Sequence, residues 1–251
     1  MLGIPSSSSW STAPERLRLG SNEVHIWRAA LNQPSSRAES FLDILTADEQ
    51  QRAERFHFRK DRDHFVIARG ILRMILSRYL HIEPEALRFC YSRYGKPALM
   101  EASGIDALRF NVSHANELAL YGVTLNRQIG LDIEYMREGF ASEQIAERFF
   151  SPIEVAMLRE LPAHMQTEGF FNCWTRKEAY IKARGEGLSL PLDGFDVSLA
   201  PGEPARLLSV RDNTQEALRW SLRELTPGPG YVAAVAVEGH DWQQSCWLWA
   251  E

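Results

Sequence analysis

Apolar residues recur at helical spacing through Phe170–Lys182, FFNCWTRKEAYIK, with Phe171, Trp174 and Ile181 on one stripe. No Gly or Pro interrupts the run, so it predicts a helix. Glu178 falls in the same stripe, and a carboxylate on an apolar face is costly unless a cation satisfies it. Lys182 follows one turn later, in the order that suits a helix pair. Two readings stand: a solvated Glu–Lys pair at the stripe edge, or a carboxylate reserved for a cation. The run stops at Gly185 and Gly187.

Upstream, alternation predicts a strand over Glu23–Ala29. Thr46 followed by Asp48 and Glu49 reads as a helix start. A second long helix, FVIARGILRMILSRYL, carries Ile67, Ile71, Met74, Ile75 and Leu76 on its apolar face. The stretch around it is dense in cations: Arg52, Arg55, Arg59, Lys60, Arg62, Arg69 and Arg73, with His64. Such a run is a solvated face or an anion site. Ser151-Pro152 opens a short helix whose apolar residues are Ile153, Ala156 and Met157. Further strands are expected at 196–199, at 217–225 with Leu218, Trp220, Leu222 and Leu225 inward, and at 231–237. FVIARG and YIKARG suggest an internal repeat, and each half carries a helix followed by strands, which fits a two-half α+β architecture.

Between the long helices, Arg109–Glu134 reads as a three-strand meander, RFNVS, ELALYGVTL and IGLDIEY, with short connectors. Asp132 and Glu134 then share one face of the third strand, because strand side chains alternate. Two acids on an exposed face are common. With a third carboxylate they suit magnesium, which prefers oxygen ligands. Tyr94-Gly95-Lys96-Pro97 is a turn with an extended exit. It lacks the Ser or Thr that a phosphate-cradling Walker loop places after Lys, and its use is to hold one Lys stiffly. Ser113-His114 ends a strand without the elbow of a serine hydrolase.

Composition narrows these readings. The 251 residues allow one large domain or two small ones, 45% of them hydrophobic and 24% charged, as in an ordinary globular protein. The net charge of −5 argues against a general nucleic-acid binder. Cys90, Cys173 and Cys246 are scattered, with no zinc spacing, and are expected to be reduced. No run is long and apolar enough to span a bilayer, and no secretory signal opens the chain, so a cytoplasmic location is expected. Residues 1–20 are expected to be a flexible extension pinned by Trp10.

YGKPAL, FNVSHA, IGLDIE and WTRKEAYIKARGEGLSLPL, in this order, resemble the surfactin-type 4′-phosphopantetheinyl transferases from Thr46 to the C-terminus. The resemblance implies two similar α/β halves about a pseudo-twofold axis, 21–126 on the coenzyme A side and 127–251 carrying metal and catalytic helix, with the site in the cleft between. It implies a monomeric enzyme that moves phosphopantetheine from coenzyme A to a serine of an apo acyl or peptidyl carrier protein. Adenosine 3′,5′-bisphosphate is then the second product. Asp132, Glu134 and Glu178 become magnesium ligands, Lys182 the cation near the pyrophosphate, and Lys96, Ser113 and His114 the lining of the coenzyme A site. Glu178 is the expected base for the acceptor serine. The chain departs from the family pattern at the 3′-phosphate: Arg52 suits an anion, Glu49 does not, and Phe65 stands where relatives carry a hydroxyl. Arg52, Arg59 and Arg69 are the candidates there. The outward face of the short helix, with Arg148 and Arg159, is either the carrier contact or internal packing. A carrier-binding module without activity and a magnesium-dependent phosphodiesterase are the competing functions.

Overall fold

The computed structural model describes residues 9–100, 107–137, 139, 143–211, 213 and 215–250. In chain order the strands and helices are β1 (Ser11–Thr12), β2 (Glu23–Ala30), α1 (Ser35–Leu42), α2 (Ala47–Glu54), α3 (Arg59–Leu80), β3 (Phe89–Tyr91), β4 (Pro97–Leu99), β5 (Leu108–Ala115), β6 (Leu118–Leu125), β7 (Ile129–Tyr135), α4 (Glu143–Phe149), α5 (Pro152–Glu160), α6 (Ala163–Arg184), β8 (Phe195–Val197), β9 (Leu207–Val210), β10 (Trp220–Leu225), β11 (Tyr231–Glu238) and β12 (Gln243–Leu248).

The chain is built twice on one plan. In the first half β2, β6 and β5 lie side by side and antiparallel, and in the second β7, β11 and β10 do the same. Each opening strand leads through two short helices into a 22-residue helix, α3 or α6, that ends in a left-handed residue, His81 or Gly185. The capping boxes match as well. Thr46 and Glu49 start α2, and Ser151 and Glu154 start α5. Each box glutamate is buried against a cation of its long helix, Arg73 or Lys177. The repeat is therefore real at the level of elements, but FVIARG and YIKARG do not mark it: the first lies mid-helix in α3 and the second at the C-terminal end of α6.

Three cores follow from this plan. One packs α1–α3 on the outer face of the larger sheet, through Trp27, Phe110 and Tyr121. One packs α6 on the outer face of the smaller sheet, through Phe171, Tyr180 and Ala234. The third lies between the halves and includes Ile26, Leu120, Leu131 and Val235.

The structure corrects several expectations. The three-strand meander is a hairpin of β5 and β6 only. β7 pairs with β11 in the second sheet, because its odd residues fill the inter-half core while Gly130, Asp132 and Glu134 turn toward α6. Across the gap Asn111 of β5 still reaches it, accepting a 3.0 Å bond from the Leu131 amide. The chain crosses between sheets twice, so β12, late in the second half, pairs with β2 in the first half's sheet. Of the expected flexible extension, residues 1–8 lie outside the described part, but the rest is anchored. β1 pairs with β12, Leu17 is buried, and Trp10 donates to the Thr226 carbonyl. Residues 216–219 form a 3-10 turn ahead of β10, leaving Leu218 66% exposed rather than inward.

Candidate active site in the cleft between the halves

The site is assembled where α6 crosses β7. A Cβ on Gly130 would come 2.1 Å from the Ala183 nitrogen and 2.2 Å from the Ala179 oxygen. Helix and strand backbones therefore touch there, an approach only glycine permits. Asp132 lies two residues beyond the crossing on the same strand face, and Lys182 directly precedes Ala183. The crossing sets these two against each other: Lys182 Nζ is 2.5 Å from Asp132 Oδ1. Ser113, at the end of β5 in the other half, completes the cluster. Its hydroxyl donates to Asp132 Oδ1 at 2.9 Å and accepts from Lys182 Nζ at 3.1 Å. Asp132 Oδ2 is buried with no hydrogen-bond partner.

The apolar stripe of α6 is buried at Phe171 and Ile181, with Trp174 packed against the same core, but burial is not confined to that stripe. Nearly the whole second part of the helix is buried, and Trp174, Glu178 and Lys182 form its more open line. The polar residues on its other sides are inside the protein and satisfied there. Arg176 donates to the Ser198 carbonyl and pairs with Glu224. Lys177 pairs with Glu154 at 2.7 Å and donates to the Leu192 and Phe195 carbonyls. Buried charges of this kind persist only when fully paired. The hydropathy stripe therefore marked a buried side of the helix, but not that its other sides are buried as well.

Glu134, Glu178 and Asp132 share one field. Burial, then Asp132, then Glu178, push the Glu134 carboxyl up to about 7 against the pull of Lys182 and Arg137. Glu178 is raised by burial and then by Asp132, with Lys182 opposing. Among the described residues no three carboxylate, imidazole or thiol groups converge into a ready metal cluster, and Lys182 occupies one oxygen of Asp132. The donor set nonetheless fits a hard cation: all oxygen, coupled in charge through Asp132, and with one buried oxygen of Asp132 bare.

His114 lies at the rim, exposed, with its imidazole pKa held low by partial desolvation and then by Lys182 and His64. Glu178, Lys182, Asn111, Tyr94 and Lys96 line a cavity of about 290 Å³. A neighbouring cavity of about 470 Å³ shares Lys96 and Gly185 and adds Arg109, Tyr91 and Phe110. Lys96 borders both, but its ammonium is taken by two carbonyls, Ile129 O at 3.0 Å and Ala183 O at 3.1 Å. Of the three candidate phosphate arginines, Arg59 is 3.5 Å from Asp63 and Arg69 donates to both Glu49 and Tyr91. Arg52 lies over the Phe65 ring and makes no ion pair among the described residues. Glu49 is buried between Arg69 and Arg73, which explains an acid beside a cationic run. Gly130 and Asn111 were not singled out from the sequence. The glycine inside IGLDIE was the available sign of a close backbone approach.

Two family models match, one described as the 4′-phosphopantetheinyl transferase superfamily over residues 128–236, the other as 4′-phosphopantetheinyl transferase, N-terminal, over residues 15–124. The chain is 44% identical over 239 residues to the 4′-phosphopantetheinyl transferase HetI of a Nostoc species, spanning 95% of this chain and 98% of that one. It is 31% identical over 178 residues to the 4′-phosphopantetheinyl transferase Sfp of Bacillus subtilis, covering 70% of this chain and 77% of that one. To the human L-aminoadipate-semialdehyde dehydrogenase-phosphopantetheinyl transferase it is 26% identical over 223 residues, 82% of this chain and 72% of that one.

Proposed function

The chain belongs to the 4′-phosphopantetheinyl transferase family, and from that premise we propose how its own residues divide the work. It transfers the 4′-phosphopantetheine group of coenzyme A to a serine of an apo carrier protein, in the magnesium-dependent reaction of that family.

Asp132, Glu134 and Glu178 would hold the magnesium. The observation that carries this reading is the bare, buried Oδ2 of Asp132, whose sister oxygen is already engaged by Ser113 and Lys182. When bound, the ion supplies charge neutralisation at the diphosphate. Lys182 opposes the negative charge that grows on the leaving phosphate, a role for a fixed cation in a partly desolvated site. Glu178 takes the proton of the acceptor serine, directly or through a water. Ser113 keeps Asp132 and Lys182 in register, and His114 borders the coenzyme A. Arg52 is the cation left for the 3′-phosphate.

The carrier, acyl or peptidyl, docks on the outward side of α5. Ile153 is 57% exposed there and Ala156 faces solvent, while Met157 turns partly into the core of its half. Arg159 is neutralised by Glu143 and Glu147, so Arg148 is the rim charge available to an acidic partner. One chain supplies both walls of the cleft, which suits a monomer. No helix among the described residues is long and apolar enough to cross a membrane. The three free cysteines fit a reducing, cytoplasmic setting.

The test is the intact mass of apo carriers of several classes after incubation with the enzyme, coenzyme A and magnesium, with Asp132→Asn, Glu134→Gln and Glu178→Gln run alongside. Gain of one phosphopantetheine with wild type, and its loss with a shifted magnesium requirement in the variants, supports the assignment. Coenzyme A hydrolysis without carrier modification would favour a phosphodiesterase.

A further inference from the structure

Lys96 stands where a phosphate contact is expected, yet its ammonium points elsewhere. The hairpin of β3 and β4 fixes its backbone. Ser92 N donates to Lys96 O at 2.9 Å, Ser92 Oγ accepts from Lys96 N at 3.1 Å, and Gly95 takes a positive φ of 83°. Pro97 then locks the exit. From this base the side chain leaves the first half and enters the second, running past Gly185, where a Cβ would sit 3.2 Å from Lys96 Cδ.

Its two acceptors flank the crossing of α6 and β7. Ala183 O belongs to the last turn of α6, past the reach of the helix's own amides, whereas Ile181 O in that turn takes the Gly185 amide. Ile129 O opens β7, which is the edge strand of its sheet. The Leu131 amide of the same strand takes Asn111 Oδ1 instead. Two side chains of the first half, Lys96 and Asn111, thus satisfy main-chain groups of β7 that would otherwise be left open beside the site. A cation at the C-terminal end of α6 is also favoured by the helix dipole. Gly130 directly follows Ile129 and packs against the backbone of Lys182 and Ala183, with Asp132 two residues further along the strand.

We infer that Lys96 is a positioning residue for the transfer reaction: it clamps the end of α6 to the start of β7 and so aims Lys182 at Asp132. This rests on the roles given to Lys182 and Asp132 above. It assigns Lys96 a task distinct from binding the phosphates of coenzyme A. A tilt of the crossing moves Lys182 against the reacting phosphate, and misplacement of about 1 Å costs roughly a hundredfold in rate.

The experiment compares wild type, Lys96→Met and Lys96→Arg in steady-state kinetics and in hydrogen–deuterium exchange of the protein without ligand. Lys96→Met is expected to lower kcat by about tenfold to a hundredfold while the KM for coenzyme A moves by less than about threefold. Amides of 181–187 and 129–133 should exchange faster in that variant. Lys96→Arg, which still offers donors to both carbonyls, should restore most of kcat and protection. A raised KM with unchanged kcat and unchanged exchange would make Lys96 a ground-state phosphate contact and overturn the clamp. Unaltered kinetics and exchange would overturn it equally. Exchange needs no carrier or metal, so it reads the clamp even if the roles of Lys182 and Asp132 fail their own tests. If Lys96→Met does not fold, loss of both protection and kcat in Lys96→Arg relative to wild type counts against the clamp.

Discussion

Lys182 and Asp132 meet at 2.5 Å in the place where, in the first half, Arg78 lies over Trp27 at 5.2 Å from the ring centroid. Both cations stand third from the end of a 22-residue helix, and both partners stand on the opening strand beneath it. One half ends its helix on an indole and buries it, and the other ends on a carboxylate with a bare oxygen. At equivalent places on the two crossings, the second half thus presents the carboxylate of Asp132 where the first half presents the ring of Trp27.

If Lys182 acts on the leaving phosphate, Lys182→Met lowers kcat by about 10²–10³ with the coenzyme A KM nearly unchanged, as for removal of one preorganised transition-state contact. Steady-state kinetics with a carrier substrate checks this. A large loss of coenzyme A affinity with normal turnover at saturation would move Lys182 to ground-state binding.

Glu178→Gln removes the charge of a proposed magnesium ligand together with the proposed base. The expected outcome is a fall in kcat of at least about 10², the usual contribution of a positioned base. The magnesium concentration for half-maximal rate should rise as well. A magnesium titration at saturating carrier separates the two effects. Turnover within about twofold of wild type would return Glu178 to a solvated helix pair.

Gly130→Ala is expected to be the most damaging small substitution near the site. The added methyl meets backbone atoms of Ala179 and Ala183 near 2 Å, and backbone has no rotamer with which to retreat. Overpacking of this kind typically costs about 1–3 kcal/mol, and here α6 must lift from β7. Thermal melting should fall and kcat with it, while Gly139→Ala, where a Cβ meets nothing within 4 Å, loses only what its positive φ costs.

Much of this was legible in the chain. The DxE strand, the helix carrying Glu178 and Lys182, and the helix starts at Thr46 and Ser151-Pro152 are local signals, set by periods of two and 3.6 residues and by first-turn chemistry. What was hidden is non-local. Alternation showed that Asp132 and Glu134 share a face, but not that β7 abandons the β5–β6 hairpin for β11. Nothing in KPAL says that the lysine reaches the second half. Nothing local marks Arg176 and Lys177 as buried, because their partners, Ser198, Glu224 and Glu154, come from distant segments.

The buried pair next to Glu178 gives a contrasting test. Lys177 is 1% exposed, and Glu154 is fully buried while also accepting from the Ser151 and Val197 amides. Lys177→Met leaves that carboxylate without its cation, which costs about 3–5 kcal/mol when one partner of a buried pair is removed. Denaturant unfolding should show this loss. The magnesium requirement of the folded fraction should stay unchanged, since Lys177 points away from the cleft. A shifted requirement would place the pair within the metal site.

The last prediction concerns pH and Lys96. Burial, and then Arg109, depress its ammonium from 10.5 to about 8. Below about 8 the group is protonated in folded and unfolded chains alike, and the folded state carries the full penalty of the buried charge. Between about 8 and 10.5 the folded protein has released this proton while the unfolded chain still holds it. Unfolding then takes up a proton, so the contribution of Lys96 to stability rises with pH across that window and levels off above it. The general alkaline loss of stability is removed by taking the difference between wild type and Lys96→Met, measured as denaturant midpoints from pH 7 to 10. That difference should move in favour of wild type as the pH passes about 8. A flat difference, or one that moves toward the variant, would mean that the two carbonyls hold the ammonium more tightly than burial opposes it.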